Sequence, residues 1–551
     1  MKRNISFLAQ IGLFAYLVLT LSSCKKDFLD RKSLNAYSEE DVWSNINLVE
    51  TFVNSKYRSL PHFYSSSTIV PSVSGLSASS DEGYCQWNYE DVWFFNLGQV
   101  TPDNLSMDAW QGYYGFIRDC NTFFDHIDAV EGDAELKERL TAEVKFIRAW
   151  CYFDLVSRYG GVPLITKVYS LSDDDYLVPR NSYDECMDFI ISELDEAAAM
   201  LPLSYNGADV GRITKGAALS LKSRAMLYAA SPLNNPTNDR TKWTAALNAA
   251  KAVVDLDVYS LYQGEDYRRV FLEKFNSEVI LSFNINATTN PSGEYESRLN
   301  VMIGPNGYHG YSSYTPSQTM VDQFQMKNGK MITEEGSGYD LNNPYADRDP
   351  RFYADILSNG VEFRGRPYES FVGGLDSPQS SIENWNASLT GYNWRKYSDD
   401  AQPIDENVGT DQNWIIFRYA EIYLNYAEAA FETGDEATAR MYLNLIRSRV
   451  SVEMPDVTAT GADLYEAIQL ERQIELCFEG HRFFDVRRWK IAMETENKPL
   501  RSVTIEKDQS GNLSYSYFTV QNRRFYEQNY WYPIPKYELD KNGNLEQNPH
   551  Y

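Results

Sequence analysis

Basic residues are scarce in this chain. Its 551 residues include 51 Lys and Arg against 77 Asp and Glu, a net charge of −26. A surface of that sign repels phosphate backbones and anionic lipid, so nucleic acid is excluded as a partner. The acids are spread along the sequence, the pattern of a solvated exterior. Histidine is scarcer still, with five scattered at 62, 126, 309, 481 and 550. No HExxH, GxSxG or Walker loop occurs, which removes the hydrolase and nucleotide chemistries those motifs carry. The six cysteines show no CxxC pair and no zinc spacing. Cys120, Cys151, Cys186 and Cys477 fall in apolar helical patterns and read as small core residues. Asp340, Asp347 and Asp349 lack the twelve-residue calcium loop with its terminal Glu, so no metal is expected. No apolar run reaches the roughly 20 residues of a membrane span.

Aromatic residues are abundant. They make up 14% of the chain, with 40 Tyr, 27 Phe and 11 Trp. Most must pack cores and loops, but the excess of Tyr and Trp suits surfaces that hold flat, half-apolar ligands. At the N-terminus, Lys2 and Arg3 precede an apolar stretch over 7–21, interrupted by Gln10 and Gly12. This is the layout of a bacterial secretory signal. Its ending, Leu21-Ser22-Ser23-Cys24, resembles the lipobox of bacterial lipoproteins. The resemblance implies cleavage before Cys24, a diacylglycerol on its sulfur and an acylated amine. Removing residues 1–23 takes the net charge from −26 to −28, because Lys2 and Arg3 leave with them. Lys25-Lys26-Asp27 resembles a surface-export tag of Bacteroidetes lipoproteins.

The remainder reads as mainly α. Residues 418–450 form two helices around Thr433-Gly434-Asp435, where Gly434 suits the positive φ of a helix stop and Asp435 an N-cap. Small Ala427, Ala430 and Ala439 and larger Tyr423, Leu443 and Ile446 match the tetratricopeptide pattern. A lone hairpin cannot bury its apolar face, so others must stack on it. Apolar spacing and caps predict helices over about 39–60, 107–130, 134–159, 183–201, 215–230, 241–255 and 463–492. Residues 61–106 read as a long loop rich in Ser, Gly and aromatics. Residues 278–413 alternate short strand-like runs (279–285, 352–356) with Gly, Asn, Pro and Tyr, an irregular inserted region. The expected organisation is a signal peptide (1–23), a lipidated tether (24–37), a helical region (38–277), the insertion (278–413) and a C-terminal hairpin and tail (414–551). Arg472, Glu475, Glu479, Arg482 and Asp485 recur at three- and four-residue steps and read as ion pairs along one helix.

Several ordered motifs resemble one family, the SusD/RagB outer-membrane lipoproteins. They are YGFIRDCN (114–121), AEVKFIRAW (142–150) with RYGGVPL (158–164), Gly211-Arg212 with Lys215, and TPSQ (315–318) with Phe324 and Asn328-Gly329. DPR (349–351), LER (470–472) with EGHRFFD (479–485) and RW (488–489), YPIP (532–535) and QNP (547–549) follow. One departure is His550, where the family often has Gly before the final Tyr. The resemblance implies a SusD-like fold, a tetratricopeptide-like helical scaffold carrying a loop-rich inserted subdomain. It also implies a surface lipoprotein that captures glycans for a SusC-like TonB-dependent barrel and cuts nothing.

Sugar rings offer apolar faces that stack on aromatic planes and hydroxyls that need amide or carboxylate partners. Loops on a rigid scaffold supply both. One such stretch is 81–96, with Asp81, Tyr84, Trp87, Asn88 and Tyr89 as candidates and Trp93 and Phe94 read as core. By position it corresponds to the family's first binding loop. The other is the inserted region, with Tyr295, Tyr308, Tyr311 and Trp385 foremost and Tyr314, Tyr392 and Trp394 behind them. Two alternatives stand beside the binder. One is a lipoprotein glycoside hydrolase, since no carboxylate spacing rules a catalytic pair in or out. The other is a peptide-binding tetratricopeptide-like scaffold.

Overall fold

The computed structural model describes residues 39–63, 73–88, 91–105, 107–170, 172–286, 288 and 298–551. Cys24, Tyr89 and Tyr295 lie outside them, as does the signal segment. The scaffold is a stack of antiparallel helices in chain order: Trp110–His126, Ala134–Tyr159, Tyr183–Met200, Lys215–Ala230, Arg240–Val254, Tyr419–Glu432, Glu436–Arg447 and Gly461–Glu475. Their starts follow from local chemistry. The Asp133 carboxylate accepts from Leu136 N, Ser182 and Glu185 form a reciprocal capping box, and Thr214 accepts from Ala217 N. At the central hairpin Gly434 has φ 86°, and Asp435 Oδ1 accepts from Thr438 N at 3.0 Å. Ala427, Ala430 and Ala439 are fully buried where the two helices meet. The scaffold is the tetratricopeptide-like one expected. Cys120, Cys151 and Cys186 are free, buried thiols in the helical core, whereas Cys477, also free and buried, lies between two helices in the core where the insertion packs.

The expected 39–60 helix is two, Glu39–Trp43 and Ile46–Lys56, because Asn45 turns extended and caps the second through Asn47 N. The expected 463–492 helix also breaks. Phe478 and Gly480 take left-handed φ values of 62° and 82°, which separates Gly461–Glu475 from His481–Arg488. The strand expected over 352–356 is instead a helix, Pro350–Asp355. Asp349 caps it and Pro350 stands at its first turn, followed by only a two-residue strand at Ile356–Leu357. The 61–106 stretch holds more structure than a loop: helices Val73–Ala78 and Asp91–Asn96 flank strand Gly83–Cys85.

Strands among the described residues make five small antiparallel pairs. Two of them join distant parts of the chain. Val279–Phe283 lies against Trp414–Arg418 and closes the insertion at its base. Gly83–Cys85 pairs with Tyr314–Pro316, Tyr84 opposite Thr315, and so ties the early loop to the insertion. Two large buried clusters result, one among the helices and one where the insertion meets residues 452–478.

Between the two regions lies a buried ionic network. The charged residues of the 471–485 stretch were read as pairs along one helix, and the structure corrects this. Glu475 accepts from Arg418 at 2.7 Å and Arg351 at 3.0 Å, and the Arg449 guanidinium forms an ion pair with it at 3.0 Å. Glu479 pairs with Arg418 and Lys396, both at 2.8 Å, and Arg472 with Asp485 at 2.8 Å. The helical spacing is an accident of a segment whose charges point at other elements.

Glu143, in the middle of helix Ala134–Tyr159, is fully buried. Burial raises its carboxyl to about 7, and Arg212 and Arg139, at 3.5 and 3.9 Å, offset only part of that. The unfolded chain titrates this group near ~4.3. Between the two values the folded state binds the extra proton, so rising pH costs stability there, and the full penalty is present above about 7. Below both values the group has no effect. Glu143→Gln is expected to reduce the loss of stability between about pH 5 and 8 by roughly 1–3 kcal/mol. Urea midpoints of both proteins at the two pH values check this; equal losses would disprove it.

Candidate functional site

The pairing of Gly83–Cys85 with Tyr314–Pro316 brings together the two stretches that the sequence marks separately. Trp87 follows the first strand, and its indole Nε1 donates to Ser313 Oγ at 3.1 Å. Tyr311 stands just before the second. Its backbone is fixed by Tyr311 N to Val301 O at 2.7 Å and Ser313 N to Met302 O at 2.8 Å. Gly310 is needed here for space: a Cβ would lie 2.2 Å from Gly304 O.

Trp385 completes the cluster. Its ring centroid is 5.7 Å from that of Trp87 and 6.1 Å from that of Tyr311, with interplanar angles of 41° and 47°. Trp385 is 63% exposed although it is the middle ring of three. The turn that carries it is pinned on both sides. Asn386 Nδ2 donates to Gly310 O and to Glu383 Oε2, and Asn306 Nδ2 donates to Glu383 O. The rings therefore form a preset cluster of tilted apolar planes whose middle member is open to solvent.

Polar groups border it. Glu383 Oε1 meets His309 Nδ1 at 2.8 Å, and the imidazole side chain is 68% exposed. The Tyr311 hydroxyl donates to Glu406 Oε2. Burial and that carboxylate push the Tyr311 hydroxyl up to about 12, so it remains a neutral donor. Asn88 is exposed beside Trp87. The buried Gln86 Oε1 has no hydrogen-bond partner among the described residues. A ring face with neighbouring amide, carboxylate and imidazole groups can stack a flat apolar surface and bond its edge hydroxyls.

Other candidates lie elsewhere. Asp81 is inside the protein, in a two-pronged ion pair with Arg482 at 2.8 and 2.7 Å, and offers no surface to a ligand. Tyr84 is buried, edge-on to Trp93, with its hydroxyl raised to about 12 by burial. Tyr308 is held away from the ring cluster: its hydroxyl donates to Phe363 O at 2.6 Å and the Arg366 guanidinium covers its ring at 4.1 Å. Tyr314, Tyr392 and Trp394 are core residues. Trp93 packs against the core as expected, its Nε1 donating to Cys85 O. Tyr295 falls outside the described residues. Ser313, Glu383, His309, Asn386 and Glu406 were not singled out from sequence. Their only signal is closeness to a marked ring, as in Glu383-Asn384-Trp385-Asn386.

Among the described residues no group of three His, Cys, Asp or Glu side chains is placed to hold a metal ion. None of the described helices is long and apolar enough to cross a membrane.

Comparison with known proteins agrees with this architecture. Residues 272–551 match the model of the SusD family, and residues 27–227 match one described as starch-binding associating with outer membrane. A SusD-like protein from Bacteroides fragilis has a crystal structure that superposes with a TM-score of 0.79 at 32% identity, covering 95% of this chain and all of that one. A SusD-like carbohydrate binding protein from the same organism gives 0.78 at 26% identity, covering 92% and 100%. The starch-binding protein SusD of Bacteroides thetaiotaomicron is 25% identical over 496 residues, 85% of this chain and 83% of that one. With one family model spanning the insertion, the central hairpin and the tail, and with whole-length structural counterparts, the chain belongs to the SusD family.

Proposed function

We propose that the protein is a lipid-anchored glycan receptor of the outer membrane. An oligosaccharide stacks on Trp385, flanked by Trp87 and Tyr311, and its hydroxyls bond Asn88, Glu383 and His309. The observation that carries this reading is the 63% exposure of a central Trp on a turn fixed by hydrogen bonds. An exposed large apolar ring in a preset frame marks a binding surface. The names of the carbohydrate-binding and starch-binding relatives support it. Cys24 carries the anchor, and residues 24–37 are the tether. The captured chain passes to a SusC-like TonB-dependent barrel, with no bond made or broken.

The carboxylates at the ring face are engaged in side-chain bonds, Glu383 with His309 and Asn386 and Glu406 with Tyr311. That arrangement suits holding rather than cleaving. Purified protein titrated against a panel of soluble glycans is expected to bind at least one and to release no new reducing ends. Reducing ends that accumulate with time would make it a hydrolase. Failure of every glycan to bind would end the receptor reading. Co-purification of a TonB-dependent barrel from solubilised outer membranes, lost on Cys24→Ala with the membrane fraction, tests anchor and partner together.

A further inference from the structure

A second cleft, of about 870 Å³, opens between helix Trp110–His126, the stretches 163–170 and 173–178, and the C-terminal tail. That volume falls within the roughly 300–1,000 Å³ usual for small-ligand sites. The cleft shares no lining residue with the Trp87–Trp385–Tyr311 cluster and rests on the helical core, not on the core beneath the insertion. Its floor is apolar, with Trp110, Ile117 and Ile165. Tyr169 and Tyr176 stand on its wall, and Tyr176 is 56% exposed. The wall is strapped in place from the tail. Asn542 Nδ2 donates to Val178 O at 2.8 Å, and Asn544 Nδ2 to Leu177 O at 2.7 Å.

The charge around this cleft departs from that of the chain. Three cations, Arg118, Lys167 and Lys541, line it. Its two acids are already engaged: Asp173 Oδ2 accepts from Ser170 N at 2.8 Å, and Glu538 Oε1 from Lys541 Nζ at 3.1 Å. Lys167 pairs with exposed Asp175 at 2.7 Å. Arg118 is exposed, and its guanidinium makes no hydrogen bond or ion pair among the described residues. A guanidinium is a planar fork that fits a carboxylate or sulfate with two parallel bonds. Repulsion from the acidic surface as a whole is screened beyond about 8 Å at physiological salt. Locally Asp173, Asp175 and Glu538 balance the three cations, with Lys167 and Lys541 held in ion pairs and Arg118 left open to a ligand.

We propose that this cleft is a second saccharide site, taking a short acidic oligosaccharide. Its sugar rings lie against exposed Tyr176 and the face of Tyr169 that Lys167, 4.6 Å over the other, leaves open, and its carboxylate or sulfate sits in the fork of Arg118. The ring cluster around Trp385, bordered by Glu383 and Glu406, disfavours such ligands.

Calorimetric titration with tetragalacturonate, a kappa-carrageenan tetrasaccharide (sulfate esters and no uronate) and neutral cellotetraose tests this. At least one acidic tetrasaccharide is expected to bind, equally well in the unaltered protein and in Trp385→Ala. Whichever of the two binds tells a uronate site from a sulfate ester site. Arg118→Gln should weaken it about tenfold, the usual scale of a lost charge-assisted pair, and Tyr176→Ala should weaken it also. Both side chains are exposed, so neither change disturbs the fold. Affinity should fall as NaCl rises from about 0.05 to 0.5 M. The proposal fails if neither acidic tetrasaccharide binds, if cellotetraose binds as well as they do, if Arg118→Gln changes nothing, or if Trp385→Ala removes the binding.

Discussion

Replacing Glu475 with alanine is expected to destabilise the protein by about 3–5 kcal/mol, the usual cost of leaving buried charges without their partner. Glu475 is fully buried at the end of helix Gly461–Glu475 and receives three guanidiniums, from Arg418, Arg449 and Arg351. Burial alone would raise its carboxyl. The three cations outweigh that and hold it well below the usual carboxylate range. Arg418 and Arg449 keep Glu278, and Arg351 keeps Asp349 and Glu471, so the network is depleted rather than emptied. Because Arg351 belongs to the insertion and Arg449 follows the central hairpin, the loss should loosen one region from the other. Glu475→Gln retains the shape and removes the charge, and most of the loss is expected to remain. Urea midpoints, with limited proteolysis of the insertion as a local readout, check both variants. A Gln variant with an unchanged midpoint would show that shape, not charge, is what the three arginines require.

Glycan affinity is expected to fall by about 2 kcal/mol, roughly thirtyfold, in Trp385→Ala. The indole is the most exposed of the three rings and holds the central position, so a sugar face buried on it loses its largest apolar partner. Trp385→Phe should retain part of the affinity, since a smaller plane remains. Trp87→Ala is expected to cost a comparable amount by two routes. It removes a flanking ring, and it frees Ser313 Oγ and the neighbour against which Trp385 leans. Neither substitution at Trp385 should change the stability read from urea unfolding by more than about 0.5 kcal/mol, because the surface of that side chain is mostly solvated. Titration with whichever glycan the wild type binds reads the effect. Undiminished binding in both variants would move the site away from this cluster.

The helical scaffold was legible because its signals are local. Asp133, Ser182 and Thr214 stand where caps are required, and Gly434 closes a turn that only a few residues define. The breaks were not legible for the opposite reason. Apolar spacing runs through Phe478 and Gly480, and nothing nearby announces their left-handed backbone. Charge was misleading in the same segment, since Glu475 and Glu479 serve arginines from other elements. For the proposed binding surface, composition pointed to Trp87, Tyr311 and Trp385 individually. Their assembly depends on a three-residue strand pairing between positions more than two hundred residues apart. Asp81 looked like a surface acid because its partner, Arg482, is 401 residues away.

That separation has a bearing on how the molecule comes into being. Asp81 precedes the strand that supports Trp87, and its charge has no counterpart until Arg482 has been synthesised. During synthesis the early segment must therefore wait, unsettled, for the last fifth of the polypeptide. A product truncated before that point can build helical hairpins and still have no firm seat for its first ring. Recognition in this protein is acquired late, as the final act of closing a chain whose two ends must meet.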